Sequence, residues 1–472
     1  MTAEQTQSEH GKTVVQSTAD EAEGKLSHAE RAAYSAGDVA SNFYWKLIDY
    51  YLLIFYTDVF GISGMAAGTM LLVTKTWDAI NDPLMGIIAD RTQTRWGKFR
   101  PYLLWGALPL GAAGVLTFTT PDLSDSGKLI WAYVTYSLMM TAYTFVNLPY
   151  SGLLGVITPN TQERTTLASW RFIGAFSGGI LTTQFTLKLV AYFGAEDPRL
   201  GWQLTALFWA VLAACLFTWS FLGTQERVTP PPTQKPNVRR DVTDLLRNKP
   251  WIVLAALAIL VMLNMSIRAQ ITAYYMKYYA NAEDLIGPFI SSSLVASLLG
   301  AATTPLWTRL WGKKKLFLVL MALLTALSLS FFVIPRDAIW LMFGVNLLIN
   351  FVMGPKAPLV FAMYADAADY GDWKFGRRAT GFVFAAASFA QKLGGALAGY
   401  FIGLMFTAMG YQANVEQTEE SLLGILLLMS VIPSAFSLFA VFVVMRYPLS
   451  ERQLVQIGTD LKARAANRDR SS

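Results

Sequence analysis

Apolar residues run along this chain in stretches of about 20 or more, the length a helix needs to cross a bilayer, and short segments carrying Gly, Pro and charge separate them. Twelve stretches are present, at 34–60, 64–89, 101–120, 129–157, 166–194, 202–224, 251–280, 285–311, 316–335, 338–364, 380–409 and 421–446. The pattern predicts an all-α polytopic membrane protein. The first stretch is the least apolar, interrupted by Asp38, Lys46 and Asp49, and it is counted because the topology then closes.

Only one long polar break occurs, QERVTPPPTQKPNVRRDVTDLLRNKP at 225–250, with five prolines and six basic residues. Six stretches lie on each side of it, and the two sides echo one another. TRWGKFRP, from Thr94, follows the second stretch, and TRLWGKKK, from Thr308, follows the eighth. Arg171 in the fifth and Lys392 in the eleventh also correspond. Repeated six-span halves are how many secondary transporters are built, with the substrate near midplane between them. The expected organisation is a disordered cytoplasmic tail over 1–33, a six-helix bundle over 34–225, a cytoplasmic linker over 226–250, a second bundle over 251–446 and a cytoplasmic tail over 447–472. The first tail lacks the apolar core of a signal peptide.

Composition and charge sharpen this picture. The 472 residues are 54% hydrophobic and only 15% charged, far from the balance of a soluble domain. With both termini inside, 27 of the 38 Lys and Arg fall at inside segments, eight within spans, and only Lys128, Arg199 and Arg336 outside. By the positive-inside rule both termini face the cytoplasm and the lipid bilayer is that of the cytoplasmic membrane. Cys215 is the sole cysteine, which excludes an internal disulfide, and His10 and His28 both lie in the first tail. The membrane body therefore has no histidine for a metal centre, a triad or a proton relay, which counts against an intramembrane enzyme. The Gly-rich pieces form no phosphate-binding loop, so neither ATP drive nor a cofactor is expected. The basic cluster after the second stretch fits topology or a latch better than contact with nucleic acid.

The second stretch holds the most telling chemistry. In TWDAINDPLMGIIADRTQTRWGKFRPY, residues 76–102, Asp78 and Asp82 sit at i and i+4. They share one helix face about 6 Å apart along the axis. Each would cost roughly 2.5–3.5 kcal/mol facing lipid at the bilayer centre, so both face the interior. Their mutual repulsion, about 3 kcal/mol at an effective dielectric near 20, is relieved by a bound cation or by protonation. The pair reads as a cation trap; the alternative is a structural pair neutralised by Lys or Arg from a neighbouring span. Lys75, one turn earlier, is the expected partner when the cation is absent. Small residues follow the two other interior charges, GAFSGG at 174–179 after Arg171 and GGALAG at 394–399 after Lys392, and such residues let helices approach closely.

WDAINDPLMGIIADRTQTRWGKFRPY resembles the signature of the glycoside, pentoside and hexuronide cation symporters of the major facilitator superfamily, the group that includes the melibiose carrier. FYTDVFGIS at 55–63, YTFVNLPYSGL at 143–153 and ADAADYGDWKFGRR at 365–378 match it as well. The resemblance implies the major facilitator fold, twelve transmembrane helices in two six-helix bundles. It implies a monomer that couples entry of a small-molecule sugar, glycoside or uronide to Na+, Li+ or H+ by alternating access. Asp78 and Asp82 fall on the family's cation-site aspartates, Arg171 on a sugar-site arginine and Lys392 on a lysine that organises the cation site. The sugar-binding positions diverge. Asn42 and Asn147 stand where the melibiose carrier has aspartates, Ser151 replaces an aromatic, and Ala357 falls near a lost tryptophan, which argues against a galactoside.

From the residues themselves, Arg171 is either a substrate ligand or half of a structural ion pair. Asp38 and Asn42 lie one turn apart and can hydrogen-bond a hydroxyl; Trp45 and Trp170 are candidate stacking plates. Asp90, Arg91, Arg95, Lys98, Asp366 and Asp369 are expected to form a cytoplasmic gate, with Lys313, Lys314 and Lys315 in the repeated loop. Arg268 in the seventh stretch and Lys356 in the tenth, where Gly354, Pro355 and Pro358 predict a helix break, suggest an acidic cargo that supplies their missing counter-charge; the alternative is that Arg268 pairs with backbone carbonyls or Asp49 and Lys356 reaches a water-filled vestibule. Two rivals keep the membrane body: a carrier of a lysophospholipid-like amphiphile, and a sensor that transports nothing.

Overall fold

The computed structural model describes residues 26–228, 238–376 and 380–471. It contains helices and no strand among those residues. Eight helical segments are long and apolar enough to cross a membrane on their own. The other four predicted spans are also helices, at His28–Tyr50 with its continuation, Gly64–Arg91, Arg100–Thr117 and Thr161–Phe193. All twelve spans are thus present, six on each side of the linker.

Boundaries differ from expectation where polar caps override hydropathy. The first span starts at His28, not 34, because the Ser27 hydroxyl accepts from the Glu30 amide and caps it; residues 1–25 of the expected tail lie outside the described residues. Within the linker, Val238–Arg247 is a helix, and the last tail forms the helix Glu451–Ser471. Several spans are interrupted. The first passes through Leu52–Phe55 into a π-turn, Tyr56–Phe60, and the seventh, Lys249–Tyr274, into a matching one, Tyr275–Tyr279. The tenth breaks between Ile339–Met353 and Lys356–Phe375, at the predicted Gly354 and Pro355. The twelfth breaks between Glu419–Met429 and Val431–Met445.

The halves meet along two seams, the second span on the eleventh and the fifth on the eighth, with the first and seventh spans touching between them. Small residues set the spacing: a Cβ on Gly68 would lie 2.5 Å from the Gly399 carbonyl oxygen across the seam. The start of the first span at His28, residues 92–99, Gly312 and Glu451 lie on one face, called here the terminal face; residues 61–63, 280–282 and 410–418 lie on the far face. On the terminal face each half is closed by a carboxylate. Glu226, just after the sixth span, accepts from the amides of Lys98 (2.8 Å), Phe99 (2.7 Å) and Arg100 (2.9 Å) at the start of the third. Glu451, after the twelfth span, accepts from the Lys313 amide (2.9 Å) at the start of the ninth. The glycines of the repeated Trp-Gly and their φ values, +111° at Gly97 and +70° at Gly312, turn the chain toward these acids.

Candidate functional site

The second-span helix runs unbroken through Asp78 and Asp82, with Pro83 accommodated inside it. Thr144 of the fourth span donates its hydroxyl to Asp78 Oδ1 at 2.8 Å, with Asp82 Oδ1 3.3 Å away. Lys392 of the eleventh span reaches across from the other half, its Nζ 2.7 Å from Asp78 Oδ2 and 2.5 Å from Asp82 Oδ2. The ammonium thus occupies the position a monovalent cation would take, between two carboxylates and beside a hydroxyl. Hard oxygen donors of this kind suit Na+, and the residues that would hold it are Asp78, Asp82 and Thr144. The lysine bonded to the pair is Lys392, the one the family resemblance points to, while Lys75 stands near enough to feel the charges of Asp49 and Asp78. Lys75 is buried and makes no hydrogen bond or ion pair within 4 Å among the described residues, its Nζ lying 3.9 Å from where a Gly395 Cβ would stand.

A second cluster lies in the first half. Arg171 on the fifth span grips Asp38 on the first in two places, Nε to Oδ2 at 2.8 Å and Nη2 to Oδ1 at 3.2 Å, and Nη2 also donates to Ser151 Oγ at 3.4 Å. Tyr150 donates to Asp38 Oδ2 at 2.7 Å, and its ring lies under the guanidinium, 4.9 Å from centroid to Cζ. Close packing makes this possible, since a Cβ on Gly178 would stand 2.6 Å from the Val39 carbonyl oxygen. Asn42 donates its amide back to the Asp38 carbonyl (2.9 Å), Ser41 meets Asn147 Oδ1 (3.4 Å), and Trp45 packs on Tyr143 with ring centroids 5.7 Å apart. The structure therefore gathers Asp38, Asn42, Trp45, Asn147, Ser151 and Arg171 on three neighbouring spans. Thr144 and Tyr150 escaped the sequence reading, although Thr144, Asn147 and Ser151 at i, i+3 and i+7 share a helix face with Asp78's neighbour span.

Arg268 and Lys356 are not part of this space. Pro433 has no N–H, so the Met429 carbonyl four residues earlier lacks its helical donor; Arg268 Nη1 supplies one at 2.8 Å. Its Nη2 reaches Asn346 Oδ1 at 3.2 Å. Lys356 is buried within the second bundle among Leu260, Val261, Asn264, Met321, Phe436 and Ser437. The expectation that these two cations face a cargo between the halves is thereby corrected.

The family model for MFS/sugar transport proteins matches residues 33–451. The chain belongs to the glycoside, pentoside and hexuronide cation symporters of the major facilitator superfamily. It is 37% identical over 423 residues to the inner membrane symporter YicJ of Escherichia coli strain K12, covering 89% of this chain and 92% of that one. It is 38% identical to the isoprimeverose transporter of Lactiplantibacillus pentosus, covering 84% and 83%. The solved structure of the nucleoside transporter NupG superposes with a TM-score of 0.61 at 13% identity over 90% of this chain and 100% of that one, which speaks for the fold alone. A symporter is a membrane transporter and makes or breaks no bond.

In this symporter the halves are clasped at the far face. Asp58, at the π-turn of the first span, accepts from Lys277 Nζ (2.8 Å), from Tyr411 (2.7 Å) and from Tyr278, all of the second half. Asn414 donates to its backbone carbonyl (2.5 Å), and Thr57 meets Tyr274 at 2.8 Å. Gln184 and Ser291 bridge the other seam at 2.9 Å. FYTDVFGIS contains this Asp, to which the sequence pattern alone gives no role. On the terminal face Arg31 pairs with Glu163 (2.9 Å), Arg227 with Glu30 (2.7 Å) and Lys313 with Asp366 (2.5 Å), each within one half. Arg95 and Lys98 lie over the neighbouring rings of Trp96 and Phe99, 4.7 and 5.0 Å from the centroids. Arg91 is exposed and Asp369 shares the Asp366 helix; the side chain of Asp90 lies outside those described.

Proposed function

We propose that this protein imports a sugar or glycoside across the cytoplasmic membrane together with a monovalent cation, Na+ being the first candidate, and that it works as a monomer with both termini inside. The observation that carries the reading is the carboxylate pair shared between Thr144 of one half and Lys392 of the other. Within the hydrogen-bonded cluster itself, two carboxylates face one ammonium, which leaves an oxygen-rich site that a single cation can enter. Entry of that cation competes with the ammonium for the same oxygens, so it changes the one charged contact that joins the halves at midplane. Sugar hydroxyls then meet Arg171, Asn42, Asn147 and Ser151 in the neighbouring cluster, with Trp45 and Tyr143 as the apolar wall.

The excess of Lys and Arg makes the terminal face cytoplasmic. The Asp58 clasp, shut on the face this reading places outside, supports an inward-facing state. The terminal-face acids and bases are then the groups that meet when the carrier faces out, Arg95 and Lys98 against Asp366 and Asp369. Relatives carrying sugars and the retained carboxylate pair both speak against the amphiphile and sensor readings. In vesicles with an imposed Na+ or H+ gradient, uphill uptake of a labelled sugar should appear in the wild type and vanish in Asp78→Asn and Asp82→Asn while downhill exchange persists. Unchanged uphill uptake in both variants would sink the proposal.

A further inference from the structure

We infer that the cargo is uncharged, and that Asp38 makes it so by masking Arg171; the inference rests on the symport reading above. The ground is where the interior cations stand. Lys392 is held by Asp78 and Asp82, and Lys277 by Asp58 on the far face. Lys46 has Asp49 at 3.9 Å, and Lys188 is exposed near the far end of the fifth span. Arg268 and Lys356 belong to the interior of the second bundle. Lys75 is buried against the seam. Arg171 is the cation that remains in the sugar cluster.

Its charge is cancelled on the spot. Asp38 meets the guanidinium through both oxygens, and Tyr150 fixes the carboxylate from the other side. A carboxylate on the cargo that approached Arg171 would stand almost as close to Asp38, so attraction and repulsion nearly cancel, while the cargo would still lose its hydration. A neutral sugar meets no such penalty. A guanidinium carries five N–H donors; Asp38 takes two, Ser151 one and the Tyr34 hydroxyl one, so an N–H remains for a hydroxyl oxygen. Ser151, exposed beside it, can both donate and accept. The pair therefore serves as a hydroxyl-binding platform with no net charge, and Asp38 is the residue that sets neutral against acidic cargo.

The test uses matched probes, p-nitrophenyl glucoside against p-nitrophenyl glucuronide and the galacto pair, with p-nitrophenyl xyloside as a further neutral probe. Each competes with gradient-driven uptake of a labelled neutral sugar in vesicles holding the full-length carrier. The neutral members should inhibit at least tenfold more strongly than the uronides. In Asp38→Asn, where the guanidinium loses its counter-charge, the ratio should fall tenfold or more toward the uronide. Tyr150→Phe, which removes the hydroxyl shared between Asp38 Oδ2 and the Tyr34 carbonyl and keeps the ring under Arg171, should move it the same way by a smaller factor, and it serves if Asp38→Asn does not fold. A gradient that drives a uronide as well as or better than its neutral partner in the wild type overturns the inference and leaves symport standing. A ratio that does not move in folded Asp38→Asn or Tyr150→Phe removes Asp38 as its cause. Vesicles that accumulate no labelled sugar under either gradient overturn the symport reading and this inference with it.

Discussion

Replacing Asp58 by Asn should open the outer face. The side chain is 3% exposed and takes hydrogen bonds from Lys277, Tyr278 and Tyr411 of the opposite half. Asparagine keeps the shape but loses the charge and one acceptor oxygen. Removing one member of a buried ion pair typically costs about 3–5 kcal/mol. Lys277 is 20% exposed and keeps Asn414 Oδ1 at 3.1 Å, so the closed face should lose less, about 2–3 kcal/mol. At 1.4 kcal/mol per tenfold, the balance moves roughly 30- to 150-fold toward the outward-open state. A cysteine at Gln270, buried one turn below Tyr274, in a Cys215→Ser background reads this directly. An impermeant maleimide added outside should label it faster in Asp58→Asn by a factor of that order wherever closure limits access. Equal labelling rates in two folded, transporting proteins would show that Asp58 does not hold the outer face shut.

Lys392→Gln takes the competing ammonium away from Asp78 and Asp82. Equilibrium binding of the coupling cation should tighten while uphill sugar uptake is lost; unchanged cation affinity would mean that the lysine does not compete with the ion for these oxygens. Glu226→Gln should weaken the cap on Lys98, Phe99 and Arg100 by about 1–2 kcal/mol, shortening the half-life of the detergent-solubilised carrier on heating. Gly97→Ala should do the same, because its φ is +111° and its Cβ would stand 2.5 Å from the Glu226 carboxyl carbon. Gly86→Ala, with open space at that position, is the control that should change nothing.

The spans were legible because lipid permits few ways to satisfy a backbone, so long apolar stretches announce themselves. Asp78 and Asp82 were legible for a related reason: two carboxylates at helical spacing have one place to go. Pairing across the chain was not. Asp38 and Arg171 are 133 residues apart, and Lys392 and Asp78 are 314 apart; only the family resemblance, and no local pattern, tied Lys392 to the cation site, and nothing tied Asp38 to Arg171. Arg268 and Lys356 stayed open between a cargo and partners of their own, because hydropathy does not separate the space between the halves from the interior of each bundle; Arg268 takes the backbone carbonyl. Each six-helix bundle has an interior of its own, where a proline such as Pro433 can leave a carbonyl free for a buried cation.

The duplicated loops carry a mechanical consequence. In each half the acid that caps the third helix arrives from beyond the sixth, Glu226 over 128 residues to Lys98 and Glu451 over 138 to Lys313. Such a contact joins the last element of a bundle to its middle, so the bundle resists shear and tends to move as a unit. Arg100 Nη2 on the Phe221 carbonyl (2.6 Å) and Lys314 Nζ on the Tyr447 carbonyl (2.6 Å) strengthen the same joint in each half. If the halves rock as rigid bodies, the work of alternation falls on what crosses between them. At the second and eleventh spans that means the Lys392 bridge at midplane and the Asp58 clasp outside, both built on carboxylates of the first half gripping cations of the second. A cation entering at Asp78 and Asp82 acts on the first of these and not on the second, so ion binding biases the carrier while the clasp sets how far that bias must reach before the outer face opens.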